Sequence, residues 1–384
     1  MSVSSLPASD VRSRAERKRY DVLFVLTRPD PGGTLEVLVL LSKELRALGL
    51  QVAVIALYRG SAEPAPLEDM EYDILVDRQR LSLAGYVEAF FRLAGRIRAL
   101  QPAAVLSFMP AANVLGAVAA TLAGVRCRIA SHHQIGTAQH RIVRAIDRVL
   151  GSIGVYSQVI AVSQSVRASF AGYSNTYLGR LRVIPNAIRP IAPRVDRATI
   201  RKALGIAPDA VLFAVIGRLS LEKNLSRTLS AFASVPDARL VLVGDGPQRR
   251  DIERSVASMK LDGRVVLTGQ IDHQAAVDIL FASDVFVQLS LFEGRSIALL
   301  EALCAQKAII ASDIAAQQEV LAMDDGSLAG LVADPEDDAA IAAAIALASD
   351  EKLRSELGAR AAVLAKRIDL GRMGQEYVAL LKGA

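Results

Sequence analysis

The chain has 384 residues, of which 52% are hydrophobic and 22% charged, and its formal net charge is +5. This composition excludes a disordered chain, and the length predicts two domains that each bury a core. Two cysteines are too few for a secreted disulfide framework and favour a reducing compartment. The positive charge favours an anionic small molecule or membrane surface over nucleic acid, since no aromatic basic stripe is present.

The first 19 residues are polar and end in a basic run, without the apolar segment of a signal peptide. The apolar stretch over residues 111–125 is shorter than the roughly 20 apolar residues of a membrane-spanning helix. We therefore expect a cytoplasmic protein that is soluble or peripheral on the inner face of the membrane.

Short apolar runs recur along the chain, each followed by a stretch with helical spacing. Runs without polar alternation predict strands that are buried on both faces of a parallel sheet. In chain order they cover residues 22–26, 52–57, 104–108, 128–131, 159–162, 211–216, 240–243, 265–267, 285–289 and 308–311. Ten strands exceed an ordinary sheet, so we predict an α/β fold with two Rossmann-like, doubly wound domains facing a central cleft.

The stretch 185–208 holds four prolines and no sustained period, which is typical of a linker. We predict a basic tail over residues 1–19, a first Rossmann-like domain over 20–188, and a second over 189–365. Residues 366–384 are predicted to form a helix that packs back on the first domain.

Two loops of the first half follow predicted strands and carry groups suited to a ligand. Gly32-Gly33 opens a helix predicted over residues 35–48, and glycine lets backbone amides approach a ligand. An ordinary strand–helix turn explains this pair equally well. His133 follows the run 128–131, and the carboxyl end of a parallel strand is where ligands bind.

The segment 139–150 combines Arg141, Arg144 and Arg148 with apolar residues at helical spacing. A basic amphipathic helix of this kind binds anionic membranes. A helix that packs its apolar side on the core and exposes its basic side fits the same pattern. The sequence leaves both interpretations open.

Gly217-Arg218 directly follows the run 211–216, and Lys223 lies five residues further on. Two cations at a strand end suit a diphosphate, because arginine offers a planar fork of donors and lysine a point charge. A solvated turn in which Lys223 pairs with Glu222 or another nearby acid is also compatible with the sequence.

Glu293 and Gly294 follow the ninth apolar run, and a helix is predicted from about Arg295 or Ser296. The first turn of a helix offers free N–H groups and a partial positive charge to an anion. Glu301 lies roughly 12 Å further along the helix axis. The two carboxylates could bind the hexose and the ribose of a nucleotide sugar, with the diphosphate between them.

With these motifs the chain resembles the glycosyltransferases of family 4, retaining enzymes with the GT-B fold, over roughly residues 21–381. The resemblance rests above all on the segment 217–224 combined with the segment 293–301. The chain departs from the family pattern at Arg295, where many members have an aromatic residue, and at Ser296, where many have proline.

The resemblance implies that the first domain, 20–188, lies on the acceptor side and that the second, 189–365, binds the nucleotide sugar. It also implies a role for each matching residue. Arg218 and Lys223 would bind the donor diphosphate and stabilise it as the leaving group, Glu293 would face the donor sugar, and Glu301 would bind the ribose. The other implied donor contacts are Gly33, His133, Gly217, Gly294, Arg295, Ser296 and, against the base, Ile271. Family members generally work without a divalent metal, and no Asp-x-Asp triplet occurs here, so we expect no metal or other cofactor.

We therefore predict a retaining transferase that moves a sugar from a UDP- or GDP-sugar to a hydroxyl of a glycan or lipid-linked glycan, by front-face attack, in polysaccharide or glycoconjugate biosynthesis. A sugar-nucleotide epimerase of GT-B architecture is the main alternative. An NAD-dependent oxidoreductase would use Gly244-Asp245-Gly246, although Arg249 replaces the third glycine of the GxGxxG pattern. A donor-binding protein without catalysis is a further alternative.

Overall fold

The computed structural model describes residues 20–60, 70 and 72–383, so the predicted tail over residues 1–19 lies outside the described part. The chain divides into two compact units. The first takes the residues up to Asn186 together with those from Leu370 onward, and the second runs from Ala187 to Asp369. The divisions predicted from the sequence lie after residues 188 and 365.

The first unit is built on a seven-stranded parallel sheet. Its strands are β1 (Val22–Leu26), β2 (Val52–Tyr58), β3 (Tyr72–Val76), β4 (Ala104–Phe108), β5 (Cys127–His132), β6 (Gln158–Ala161) and β7 (Leu181–Val183). They lie in the order β3-β2-β1-β4-β5-β6-β7. Its helices include α1 (Gly33–Ala47), α2 (Leu83–Leu100), α3 (Pro110–Leu122), α4 (Arg141–Ser152), α5 (Gln164–Ala168) and α6 (Asn175–Arg180).

The second unit repeats this plan with a six-stranded parallel sheet. Its strands are β8 (Leu212–Ile216), β9 (Arg239–Val243), β10 (Val265–Gly269), β11 (Val285–Gln288), β12 (Ala308–Ser312) and β13 (Leu331–Ala333). They lie in the order β10-β9-β8-β11-β12-β13. Its helices are α7 (Arg197–Ala203), α8 (Leu225–Ala233), α9 (Arg249–Ser258), α10 (His273–Ala282), α11 (Ile297–Cys304), α12 (Ala315–Leu321), α13 (Asp338–Leu347) and α14 (Glu351–Ala365).

The central strands carry the cores of both units. Every residue of β1, β2, β4, β11 and β12 is buried. Parallel strands are buried in this way when helices cover both faces of their sheet, so their sequences are continuous apolar runs. In the first unit α2 packs on α3 and α3 on α4, forming one helical layer. The last helix, α15 (Leu370–Lys382), belongs to the first unit and packs on α1.

The predicted linker over residues 185–208 is wrong in its second half, which contains α7. Asp196 caps this helix by accepting a hydrogen bond from Thr199 N. Arg197 and Arg201 then form ion pairs with Asp284, the residue that precedes β11. The helix is held by these long-range contacts, and a seven-residue helix leaves little periodicity in the sequence.

Candidate active site

The loop after β8 carries the two cations predicted to bind a diphosphate. Gly217 has a φ of 147°, a conformation that residues with a side chain rarely adopt. Arg218 is exposed, and within the described ranges no group accepts a hydrogen bond from its guanidinium. Lys223 ends a short 3₁₀ turn, Leu221–Lys223. Gly217, Arg218 and Lys223 line one small pocket at the end of β8.

A second loop, after β9, supports the loop of Arg218. A Cβ on Gly244 would lie 2.1 Å from the carbonyl oxygen of Gly217, and one on Gly246 would lie 2.3 Å from that of Leu219. Leu219 N donates to Asp245 O at 2.9 Å. Only glycine fits this close approach. The oxidoreductase hypothesis assigned these glycines to a dinucleotide, whereas the structure gives them a supporting role.

The structure brings the loop after β8, which carries Lys223, into contact with the turn after β11, which carries Glu293. Lys223 Nζ lies 2.6 Å from Glu293 Oε1, and both side chains are mostly buried, with exposures of 19% and 14%. Lys223 therefore pairs across the two loops rather than with its neighbour Glu222. The carboxylate of Glu222 accepts a hydrogen bond from the Ser220 hydroxyl at 2.6 Å.

Helix α11 begins at Ile297, slightly later than predicted, because Ser296 is its N-cap. The Ser296 hydroxyl accepts a hydrogen bond from Leu299 N at 3.3 Å, and its own backbone is extended. Gly294 is buried and Arg295 half-buried. Burial lowers the pKa of the Arg295 guanidinium, and the charge of Glu319 acts in the opposite direction.

Glu301 lies inside α11 and is buried, and its partner is a residue that no sequence motif identified. His273 Nε2 lies 2.5 Å from Glu301 Oε1. His273 begins α10, four residues beyond the end of β10. The position of His273 soon after a strand could have indicated a place in the site, because the carboxyl ends of parallel strands share one edge of the sheet. Ile271, between β10 and α10, is half-buried against the hydrophobic cluster that includes Val243.

The remaining predicted donor contacts, Gly33 and His133, lie in the first unit. Gly33 is the exposed first residue of α1. His133 directly follows β5, and its Nε2 lies 3.0 Å from the Ser131 hydroxyl. Its Nδ1 has no hydrogen-bond partner in the described part of the chain. Burial, with a contribution from His132, lowers the pKa of His133 to about 3, so the ring is neutral at pH 7.

His132 lies in a buried hydrogen-bond network, because β5 extends one residue further than predicted. Its Nδ1 lies 3.2 Å from Gln139 Nε2, and its Nε2 lies 3.0 Å from the Tyr177 hydroxyl. Tyr177 and Tyr156 donate to the buried carboxylate of Asp147 at 3.0 and 2.8 Å. Since Asp147 belongs to α4, this network ties the inner side of α4 to the end of β5.

The two interpretations of α4 are distinguished by which residues it buries. Its fully buried residues are Asp147 and Gly151. Its exposed large hydrophobic residues are Ile142, Ile146 and Val149, followed by Ile153 just after the helix. The expectation that the apolar side packs on the core is therefore wrong for these residues. In the ranges that the structure describes, no helix combines the length and hydrophobicity that crossing a bilayer requires.

Two family models match the chain. "Glycosyltransferase Family 4" matches residues 31–190, and "Glycosyl transferases group 1" matches residues 196–363. Together the two ranges take in most of both units. The chain belongs to the family 4 glycosyltransferases. This confirms the resemblance found in the sequence.

The curated relatives share only part of their length with this chain. A UDP-Gal:α-D-GlcNAc-diphosphoundecaprenol α-1,3-galactosyltransferase of Escherichia coli is 28% identical over 204 residues, which is 50% of this chain and 52% of the relative. A GDP-mannose-dependent α-(1-6)-phosphatidylinositol dimannoside mannosyltransferase of Mycobacterium tuberculosis is 30% identical over 181 residues, 45% of each chain. The chain thus spans about half the length of the curated relatives it matches.

The fold comparison covers nearly the whole chain. HepE of Anabaena, solved in complex with UDP and glucose, has a TM-score of 0.82 at 19% identity and covers 95% of this chain and 100% of its own. WaaG, a glycosyltransferase of lipopolysaccharide biosynthesis, has a TM-score of 0.76 at 17% identity, covering 94% of this chain and 100% of its own. The predicted fold class, GT-B with two Rossmann-like parallel-sheet domains, is confirmed.

Proposed function

We propose that this glycosyltransferase moves a sugar from a nucleoside diphosphate sugar to a hydroxyl of a lipid-linked glycan, with retention of anomeric configuration. The observation that carries the proposal is the contact between Lys223 and Glu293 beside Arg218. It places two cations and a carboxylate at the end of neighbouring strands β8 and β11. The two curated relatives are named for UDP-galactose and GDP-mannose, which supports a nucleotide-sugar donor with either base.

The chemistry follows from where charge develops. The bond between the anomeric carbon and the diphosphate oxygen breaks, and the acceptor oxygen bonds to the anomeric carbon from the same face. The acceptor proton passes to an oxygen of the departing diphosphate. Arg218 and Lys223 stabilise the negative charge that grows on that diphosphate, which lowers the barrier more than it strengthens ground-state binding.

Glu293 and the start of α11 complete the proposed donor site. A diphosphate next to Arg218 would form an ion pair with Lys223 and weaken the pair between Lys223 and Glu293. The carboxylate of Glu293 could then bind hydroxyls of the donor sugar. The N–H groups that open α11 add partial positive charge near the phosphates. With these groups and two side-chain cations available, we propose that transfer needs no divalent metal. Both curated relatives named above are transferases, which favours transfer over epimerisation.

An exposed apolar and basic surface supports a lipid-linked acceptor and a peripheral position on the inner face of the membrane. We define this α2–α4 surface by the exposed hydrophobic residues Leu83, Val87, Phe91, Leu122, Ile142, Ile146, Val149 and Ile153. Arg141 and Arg148 are exposed on α4 beside them. Such a combination fits anionic phospholipids. Both curated relatives are also named for a lipid-linked glycan.

A thermal-shift panel of UDP-glucose, UDP-galactose, UDP-N-acetylglucosamine, GDP-mannose and NAD tests the proposed function. A donor at 100 times its dissociation constant stabilises the fold by about 2.7 kcal/mol, which raises the melting temperature by several degrees. We expect at least one nucleotide sugar to do so and NAD to have no effect. Stabilisation by NAD alone would favour the oxidoreductase, and the absence of any shift with all four sugars would contradict the proposal.

A further inference from the structure

The carboxylate of Glu293 is held by three donors on a single oxygen. Glu293 Oε1 accepts hydrogen bonds from Lys223 Nζ at 2.6 Å, from Gln288 Nε2 at 2.8 Å and from the Ser290 hydroxyl at 2.8 Å. We infer that Gln288 and Ser290 are positioning residues that fix Oε1 and so aim the other oxygen, Oε2, at the donor sugar. This inference rests on the proposed function.

Both proposed positioning residues are rigidly placed. Gln288 is the last residue of β11 and is 4% exposed, and Ser290 is fully buried. The backbone carbonyl of Gln288 accepts a hydrogen bond from the Gln317 amide at 3.1 Å. That of Ser290 accepts one from the Ser312 hydroxyl at 2.6 Å. Their side chains therefore approach Glu293 from a fixed backbone at the end of a central strand.

Gln288 is an unusual choice for core packing alone. The rest of β11 is apolar, and β11 lies between β8 and β12 in the sheet. An apolar residue would avoid the cost of burying an amide. The amide oxygen of Gln288 has no partner in the described part of the chain, so the bond from Nε2 to Glu293 is what its side chain contributes there.

The positioning role becomes distinct from that of Lys223 when a donor binds. In the proposed function the diphosphate forms an ion pair with Lys223, which then no longer holds Glu293 in one position. Gln288 and Ser290 are neutral, so the phosphates attract them much less than they attract Lys223. The hydrogen bonds of both residues to Glu293 therefore keep Oε1 in place. Glu293 thus meets the sugar in one orientation, and small errors in such an orientation are costly to the rate.

Two variants and one matched control test the inference. Gln288→Leu removes the amide at nearly constant size, and Ser290→Ala removes the hydroxyl. The control is Ser283→Ala, because Ser283 is also fully buried, lies just before β11, and donates to Leu280 O at 2.7 Å rather than to Glu293. We measure kcat and KM with the nucleotide sugar selected by the thermal-shift panel, and the affinity for UDP or GDP by calorimetry.

We expect kcat to fall roughly 10-fold to 100-fold in Gln288→Leu and less in Ser290→Ala, with unchanged nucleoside diphosphate affinity. Each loss should nearly vanish when the variant is combined with Glu293→Gln, because interacting residues are not additive. Ser283→Ala should behave as wild type, and Ser290→Ala carries the test if Gln288→Leu does not fold.

Three results would overturn the inference while leaving the proposed function intact. They are wild-type turnover in the variants, a loss fully additive with Glu293→Gln, or an equal loss of nucleotide affinity and turnover. A wild-type protein that binds no nucleotide sugar would instead refute the proposed function itself, and the two failures are therefore distinguishable.

Discussion

At the scale of single residues, the two cations of the proposed donor site differ in their surroundings. Lys223 is mostly buried and paired with Glu293, whereas Arg218 is exposed. A buried, preorganised cation contributes more to a developing charge than a solvated one, because water screens it less. We therefore assign the larger share of leaving-group stabilisation to Lys223.

Replacing Lys223 by alanine should lower turnover by roughly 10²–10³, as the loss of a preorganised donor does in other active sites. The replacement also leaves Glu293 with only its two neutral donors. Lys352→Ala is the control, since Lys352 is exposed on α14. Steady-state kinetics with the selected donor measure the effect, and a rate within a few-fold of wild type would remove Lys223 from the mechanism.

The sequence could supply the charged residues of the site but not their supports. Lys223 and Glu293 follow strand ends in recognisable motifs, and the carboxyl ends of parallel strands share one edge of the sheet. Gln288 and His273 could not be identified in this way, because their importance comes from contacts with Glu293 and Glu301 that only the folded chain creates. A single amide in an apolar strand was the visible signal for Gln288.

At the scale of elements, α4 shows why composition alone could not decide between membrane and core. The sequence identifies an amphipathic helix, but its orientation depends on what its polar side meets. Asp147 is bonded by Tyr156 and Tyr177, and a Cβ on Gly151 would lie 2.0 Å from the Tyr177 ring. Breaking such a buried network costs more than exposing isoleucine, so Ile142, Ile146 and Val149 face outward.

The α2–α4 surface should bind vesicles that contain phosphatidylglycerol and bind pure phosphatidylcholine weakly. Ile146→Glu combined with Val149→Glu should reduce vesicle partitioning tenfold or more, since each buried side chain contributes about 1.5–3 kcal/mol. The matched control is Leu347→Glu with Val363→Glu in the second unit. The exposures of these residues, 55% and 45%, resemble the 58% of Val149 and the 43% of Ile146.

Sedimentation with vesicles measures this partitioning, and added salt should weaken it because the arginines are exposed. Equal losses in both double variants would show that the α2–α4 surface has no special part in binding. Equal sedimentation with neutral and anionic vesicles would contradict the role given to its positive charge.

Strands also show what a sequence pattern can and cannot predict. The ten buried runs all correspond to observed strands, with ends shifted by at most two residues. In the described part of the chain, three strands were not predicted, and these strands, β3, β7 and β13, lie at sheet edges. Edge strands are partly exposed and need no continuous apolar run, and β7 and β13 have only three residues each.

At the scale of the whole molecule, the sequence was sufficient for the fold class and the family. Alternation of buried strands and helices implies parallel sheets, and the number of strands implies two of them. The sugar, the base and the acceptor depend on side chains around a ligand, and the curated relatives themselves differ in donor. Arg295 and Ser296, where the chain departs from the family pattern, lie just before α11 in the proposed donor site, where we expect differences in donor to arise.

The measurement that tests the central claim most directly is proton NMR of the complete reaction in EDTA. The protein is incubated with UDP-galactose or GDP-mannose and an undecaprenyl-diphosphate-linked glycan. We predict release of the nucleoside diphosphate in step with a new glycosidic bond of the donor's anomeric configuration. An inverted product, a requirement for added metal, or a donor that epimerises without acceptor would contradict the account.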